Sequence, residues 1–398
     1  MKSFTFWILS CLILCSCTST PLISSKLLLE RETLYLDHRF SGFSEIDIES
    51  EGDIFSIDDK MKEMVRTELS SEETSYKRAK KLLLHLFDQN NINLSYDNLA
   101  NLTATQSYYS KKANCLSLTI MAYSLAKEAG LNVVFQNVEV PEYWVRNNEF
   151  NMLTGHINLL VKPSGNNNSS LIWRSNSLQI DFDPFIQKKQ FPAKVIDKNT
   201  IMAMFYTNIG AQAIVDEDFI KAYAYLKQAT KVSPTFASSW SNLGVLYRMV
   251  GDFNLADKTY RYALALSPEN LSTLNNLAVL MHKMGEVEEA VTLEKLLHKK
   301  RLNNPYYHAL LADEAYYRQD YDRAKLHYKN AIKLNGSLHE LYFGLAKVYY
   351  QVKEFERAEF ALTKAIRLNN NKEKDNQYIA KLNWLKDDEN TVLHSIHQ

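Results

Sequence analysis

The chain has 398 residues, enough for two or three domains of ordinary size, and its 46% hydrophobic share supports a sizeable core. Lys+Arg and Asp+Glu are equal at 46 each, so no net charge exists to draw nucleic acid or an anionic surface. With only 11 Gly and 8 Pro the chain is poor in helix breakers, which suits a helix-rich fold.

At the N-terminus, Lys2 precedes an almost wholly apolar run from Phe4 to Leu14. That run is far shorter than the roughly twenty residues a membrane-spanning helix needs, so it reads as a targeting segment rather than as fold. It ends in LCSC, residues Leu14 to Cys17. An aliphatic residue, two small residues and then cysteine resembles the lipobox of bacterial lipoproteins. The resemblance implies a signal peptide over residues 1–16 and a lipid on Cys17. Acyl chains there anchor a protein without any transmembrane helix. Thr18 stands where Asp is associated with inner-membrane retention, which implies an outer-membrane anchor facing the periplasm. Residues 17–54 then read as a lipidated tether and lead-in. Removal of Cys11 and Cys15 with the signal leaves Cys115 as the only unmodified thiol.

A globular unit is expected over residues 55–200. SIDDKMKEMVRTEL, from Ser56, carries Asp58 and Asp59 early, as a helix start prefers. SSEETSYKRAKKLLLHLF offers a second helix with Ser70 or Ser71 as cap and Leu82, Leu83 and Phe87 on one side. Residues 115–129 read as a buried helix, with Leu116, Ile120, Tyr123 and Leu125 at helical spacing and Gly130 as the cap. The character then turns to strand. Residues 132–140, 156–162, 171–174 and 178–183 are short, apolar and rich in β-branched residues, which predicts a small antiparallel sheet.

From residue 203 to 372 the chain repeats with a constant period of 34, starting at 203, 237, 271, 305 and 339. The second repeat carries Trp240, Leu243, Gly244, Tyr247, Ala256, Tyr260, Ala263 and Pro268. These are the eight signature positions of a tetratricopeptide repeat, and the other four repeats keep part of the set. Small residues at the eighth, twentieth and twenty-seventh places let paired helices approach. Residues 373–398 read as a capping helix and tail, with Leu382 and Trp384 or Leu385 turned inward.

Cys115 falls at the start of its helix, where the positive end of the macrodipole favours a thiolate. Between it and the repeats lies a single histidine, His156. Asp181 follows on a later strand, with Asp183 on the same face as its rival. NCLSLTIMAYSLAKEAGL, GHINLLV and LQIDFD, in that order, resemble the transglutaminase-like domain, a papain-like cysteine enzyme fold. The resemblance covers roughly residues 55–200 and implies a Cys115–His156–Asp181 triad. It also implies an oxyanion site at the Cys115 backbone N–H, with Gln106 as a side-chain donor. The sequence departs from the family where Ile157 and Asn158 follow the histidine in place of an aromatic residue. It departs again where Asp181 continues into Phe182, Asp183 and Pro184, which leaves the choice of acid open.

The expected fold is therefore an α+β transglutaminase-like domain, helices plus a small antiparallel sheet, followed by an all-α tetratricopeptide-repeat solenoid. No Cys/His cluster has zinc spacing and no Gly-rich phosphate loop occurs, so neither metal nor nucleotide cofactor is expected. Trp144 and Trp173 read as core or groove wall. Position twelve of each repeat places Arg248, His282, Tyr316 and Tyr350 on the concave face, and position nine places Val245, Val279, Asp313 and Lys347 there. Such a groove suits a protein or peptide partner. The expected function is cysteine-dependent acyl transfer or amide hydrolysis with a partner-binding arm. A non-catalytic adaptor is the alternative.

Overall fold

The computed structural model describes residues 31–69, 74–87, 95–97, 100–147, 150–162, 178–180, 191–369 and 378–381. The described residues form two regions, an α+β unit and a helical solenoid.

The α+β unit begins with α1 (Glu51–Phe55) and α2 (Asp59–Met64), the latter running into a π turn over Val65–Leu69. Asp58, rather than Ser56, caps α2, its carboxylate accepting from the Met61 N–H at 2.9 Å. α3 spans Ser75–Phe87, where Thr74 Oγ1 accepts from the Lys77 N–H, while Ser70 and Ser71 lie outside the described residues. On α3 the buried residues are Ala79, Leu82 and Leu86. The side chains of Leu83 and Phe87 also lie outside the described residues. β1 (Ser95–Tyr96), α4 (Ala104–Ser110) and β2 (Lys112–Ala113) lead to α5 (Cys115–Glu128), nearly all of which is buried.

β3 (Asn132–Asn147) and β4 (Phe150–Lys162) form a long hairpin, flanked by β5 (Leu178–Ile180) and β6 (Ala193–Ile196). The four strands run in the order β5-β4-β3-β6, every neighbour antiparallel. β3 is longer than the sequence pattern predicts. It continues past residue 140 to Asn147 and is interrupted by a bulge. Val138 pairs with His156 and Tyr143 with Thr154, so residues 139–142 oppose Gly155 alone. Residues 171–174, expected as a strand, lie outside the described residues.

Ten helices follow in pairs: α6 (Lys198–Val215) and α7 (Phe219–Val232), α8 (Ala237–Met249) and α9 (Phe253–Leu266), α10 (Leu271–Met284) and α11 (Val287–Arg301), α12 (Pro305–Tyr317) and α13 (Tyr321–Leu334), α14 (His339–Gln351) and α15 (Phe355–Leu368). The second helices start 34 residues apart throughout, and the first helices do so from Ala237 onward. α6 is the exception. It starts at Lys198, capped by Asp197, because its first turns are also a wall of the α+β core. Ile201, Met202, Phe205 and Tyr206 belong to the same buried cluster as Leu118, Ile120 and Phe135. The small eighth position works as expected, since a Cβ on Gly244 would lie 2.7 Å from the Tyr260 ring. At the far end Tyr378 stacks on Phe343 at 4.6 Å and shares a 3.0 Å hydrogen bond with His339, which covers the last pair. Leu382, Trp384 and Leu385 lie outside the described residues.

Residues 31–50, read from sequence as part of a tether, are packed onto the repeats. Three 3₁₀ turns (Glu32–Leu34, Asp37–Arg39, Phe43–Glu45) lie against α7, α8 and α9. Leu34 and Phe40 are buried there, and Phe40 stacks on Tyr223 with centroids 4.4 Å apart. Tyr247 Oη donates to the Leu34 carbonyl at 2.6 Å, and the Leu36 N–H donates to Tyr223 Oη at 2.9 Å. The Lys227 ammonium pairs with Asp37 and sits 4.4 Å from the Phe43 ring centre. Burying one such phenyl ring contributes about 2–3 kcal/mol, one part of what offsets the entropy of ordering the segment.

Candidate functional site

The strongest chemical constellation is where α5 meets β4. Asn114 caps α5, its side-chain oxygen accepting from the Ser117 N–H at 2.8 Å. Cys115 is thereby the first helical residue, as the sequence predicts. Its Sγ lies 3.7 Å from His156 Nδ1, and the thiol donates to the Ile157 carbonyl at 3.2 Å. Thr119 Oγ1 donates to the Cys115 carbonyl at 2.8 Å and lies 3.5 Å from the same Ile157 oxygen. Helix and strand are thus stitched together at the thiol. Both partners are shielded: Cys115 is 5% exposed and His156 1%. In this arrangement the imidazole can take the thiol proton, and the helix N-terminus favours the resulting negative charge.

Other residues singled out from sequence are placed as follows. β5 pairs with β4, the strand of His156, and ends at Ile180. Asp181 and Asp183 lie outside the described residues, as do Cys17 and Trp173 and the side chain of Trp144. Gln106 is the third residue of α4, and its side-chain oxygen accepts from the Thr103 N–H at 3.0 Å in a reciprocal capping box. It makes no hydrogen bond to Cys115 among the described residues. The structure therefore brings Cys115 and His156 together and leaves Gln106 engaged at its own helix start.

The position-twelve residues differ in their surroundings. Arg248 lies beside the buried Tyr260, whose hydroxyl burial pushes up to about 12. His282 is exposed and 2.8 Å from a Glu294 oxygen. Tyr316 has the Lys347 ammonium 5.2 Å above its ring and accepts from Gln351 at 3.4 Å. Tyr350 packs against Phe355 at 5.8 Å. Lys347 also reaches Asp313, so positions nine and twelve bridge adjacent repeats in the C-terminal part of the array.

Two polar junctions escaped the sequence reading. Asn114 Nδ2 donates to Asn101 Oδ1 at 3.3 Å. That oxygen also accepts from Asn208 of α6 at 3.2 Å, and Asn101 Nδ2 donates to the Phe205 carbonyl at 3.1 Å. The second junction joins the hairpin bulge to the third repeat. Glu142 accepts from Arg301 Nε at 2.7 Å and from Nη2 at 3.1 Å, while Asn304 Nδ2 donates to the Glu142 carbonyl at 2.8 Å. Neither junction follows a local spacing rule, so no sequence signal marks them. Among the described residues no group of three or more His, Cys, Asp or Glu side chains could hold a metal ion, and no helix is long and apolar enough to cross a membrane.

Two family models described as tetratricopeptide repeat match, over residues 247–314 and 310–372. The C-terminal region is a tetratricopeptide-repeat solenoid. Solved structures similar to the chain include one described as a functional characterisation of Pseudomonas aeruginosa pilF, at 18% identity. It covers 50% of this chain and 90% of that one, with a TM-score of 0.31. MamA from Desulfovibrio magneticus RS-1 is 16% identical over 42% of this chain and 94% of that one, TM-score 0.27. YrrB, described as a tetratricopeptide-repeat protein with an unusual peptide-binding site, is 17% identical over 43% and 88%, TM-score 0.24. Comparison with curated proteins gives no match. Solenoids of this kind present extended concave surfaces to proteins and peptides.

Proposed function

We propose that the α+β unit is a transglutaminase-like cysteine enzyme and that the repeats bring it a protein or peptide partner. The observation that carries this reading is the 3.7 Å approach of Cys115 Sγ to His156 Nδ1 at a helix N-terminus. His156 takes the thiol proton, and the thiolate attacks the carbonyl carbon of an amide. The Cys115 backbone N–H, with Gln106 as the side-chain donor if its amide turns, receives the developing oxyanion. The carbon–nitrogen bond breaks, and the imidazolium returns the proton to the leaving amine. Water or a second amine then attacks the thioester, giving hydrolysis or transamidation, and the thiol regains its proton through His156. Asp181, with Asp183 as the rival, orients the imidazole. No cofactor takes part. In this reading a lipid on Cys17 holds the protein to the bacterial outer membrane, facing the periplasm.

Burial of the pair and the thiol's hydrogen bond to Ile157 favour a second reading, in which the unit is a non-catalytic adaptor and Cys115 is a satisfied core residue. Iodoacetamide alkylation separates the two. For an enzyme, His156→Ala slows modification of Cys115 at pH 7 at least tenfold while leaving the fold intact by circular dichroism. Equal rates in parent and variant would sink the catalytic reading. Radioactive palmitate in the growth medium tests the anchor, and a Cys17→Ala protein that still partitions with membranes overturns it.

A further inference from the structure

The Glu142–Arg301 junction holds the bulge that lies opposite Gly155, the residue before His156 in β4, though it is distant in sequence. Residues 139–142 of β3 face only Gly155 of β4; the Glu139 end adjoins the Val138–His156 pair and the Glu142 end the Tyr143–Thr154 pair. Within that bulge the β3–β4 ladder is interrupted, so its neighbours must hold it. A Cβ on Gly155 would meet nothing within 4 Å, so that face of β4 is open at Gly155. One end of the bulge is tied to β6, where the Glu139 N–H donates to the Pro192 carbonyl at 2.8 Å and Glu139 pairs with Lys194 at 2.5 Å. The other end is tied to the solenoid.

That second tie is the more specific. The Arg301 side chain is 7% exposed and the Glu142 side chain 15%, so the pair is largely withdrawn from water. The guanidinium grips the carboxylate through two nitrogens and also reaches Asn275 Oδ1 at 3.3 Å and the Leu271 carbonyl at 3.5 Å. Asn304 adds a bond to the Glu142 main chain. A forked contact with a main-chain bond beside it fixes both position and orientation of the residue it holds. A surface groove of about 460 Å³, lined in part by Val140, Asn270 and Lys300, lies beside the pair.

We infer that Arg301 and Glu142 are positioning residues for His156: the third repeat, through this ion pair, sets where the β4 imidazole stands relative to Cys115. The inference rests on the proposed role of that pair. A second solenoid contact, Asn208 to Asn101 to the Asn114 cap, holds the Cys115 side, so the repeat array touches both halves of the site. Displacing an imidazole by an ångström is enough to cost about a hundredfold in a thiol–imidazole reaction.

Full-length protein tests it by two readouts, amide hydrogen exchange over residues 154–157 and the pH–rate profile of iodoacetamide alkylation at Cys115. Glu142→Gln keeps the shape of the side chain and removes its charge. It is expected to speed exchange at 154–157 at least tenfold and to move the alkylation profile toward that of His156→Ala. Arg301→Lys, which keeps the charge but not the fork, is expected to fall between. Lys300→Ala, beside the same groove, moves neither. Unchanged exchange in Glu142→Gln overturns the inference, and so does faster exchange with an alkylation profile like the parent's. Arg301→Ala is not needed, so loss of folding at that position leaves the test intact. If His156→Ala leaves parent alkylation unaltered, the catalytic reading fails by itself, and exchange at 154–157 still decides whether the ion pair positions the strand.

Discussion

The first two repeats and the last two follow one spacing but are supported differently. Residues 203–268 hold the largest fully buried rings of the solenoid, among them Phe205, Tyr206, Tyr223, Trp240, Tyr247 and Tyr260. On one side they share a core with the α+β unit, and on another they are covered by the 31–45 strap. The third repeat is intermediate: Leu277, Leu280, Met281 and Ala290 join the braced cluster and Arg301 ties it to the α+β unit, while Leu274, Ala278 and Leu297 form a small cluster of their own and Val279, Val287 and Leu296 are exposed. Farther on, repeats pack mainly on one another. In a solenoid, stability is roughly the sum of repeat and nearest-neighbour contributions. The braced repeats therefore have contributions that the outer ones lack, and the array should come apart from its C-terminal end.

The largest test of that contrast is Trp240→Ala. The indole is fully buried, and its N–H donates to the Pro234 carbonyl at 2.9 Å. Loss of about 3–5 kcal/mol is expected in urea unfolding, with faster amide exchange concentrated in residues 205–262. A loss below about 1 kcal/mol would show that the braced repeats are not the stable part. Next in size is a matched pair, Gly244→Ala and Gly344→Ala. Each new methyl meets a tyrosine ring, Tyr260 or Tyr328, and overpacking costs about 1–3 kcal/mol. Gly244→Ala should lower the main unfolding transition. Gly344→Ala should loosen exchange only beyond about residue 320. Identical exchange maps for the two would erase the distinction.

The smallest effect concerns the strap. Burial raises the Asp37 carboxyl, but hydrogen bonds from Lys227 and Tyr223 outweigh it and hold the group below the ordinary 3.8. A carboxylate with a lowered folded value binds fewer protons folded than unfolded. Its contribution is therefore complete above pH 3.8 and is lost as pH falls through the lowered value. Limited proteolysis at residues 31–45 should increase on acidification below that pH in the parent. Asp37→Asn should lose this dependence. An equal acid response in both would locate the sensitivity elsewhere.

How much of this could be read beforehand follows the locality of each contact. The solenoid was legible because every signature residue meets partners within its own repeat or the next, so spacing alone encodes the packing. Cys115 at the first turn of α5 was legible for the same reason, since Asn114 and Ser117 are a local cap. His156 could be nominated as the only histidine between Cys115 and the repeats, but its distance from the thiol depends on strand register, which is set by contacts far away in sequence. The role of Gln106 was also readable locally. Thr103 three residues earlier makes the pair a capping box, and that is where the structure places the Gln106 side chain. The strap was missed because its 3₁₀ turns carry no period. Its clue was composition, for Leu34, Tyr35, Leu36, Phe40 and Phe43 within ten residues are too apolar for a solvated linker. Glu142 and Arg301 gave no clue, being an ordinary acid on a strand and an ordinary base at a helix end.

The strap also imposes an order in time. Its hydrogen bonds join Leu36 to Tyr223 and Leu34 to Tyr247, separations of 187 and 213 residues. During synthesis residues 31–45 leave the ribosome long before the helices that receive them. At about 5–20 residues per second, an apolar segment waits roughly ten to forty seconds for the second repeat to appear. Throughout that interval Leu34 and Phe40 are open to other partners. The nascent chain is thus most exposed to misassembly at its beginning, and completion of α8 and α9 is the event that ends the exposure.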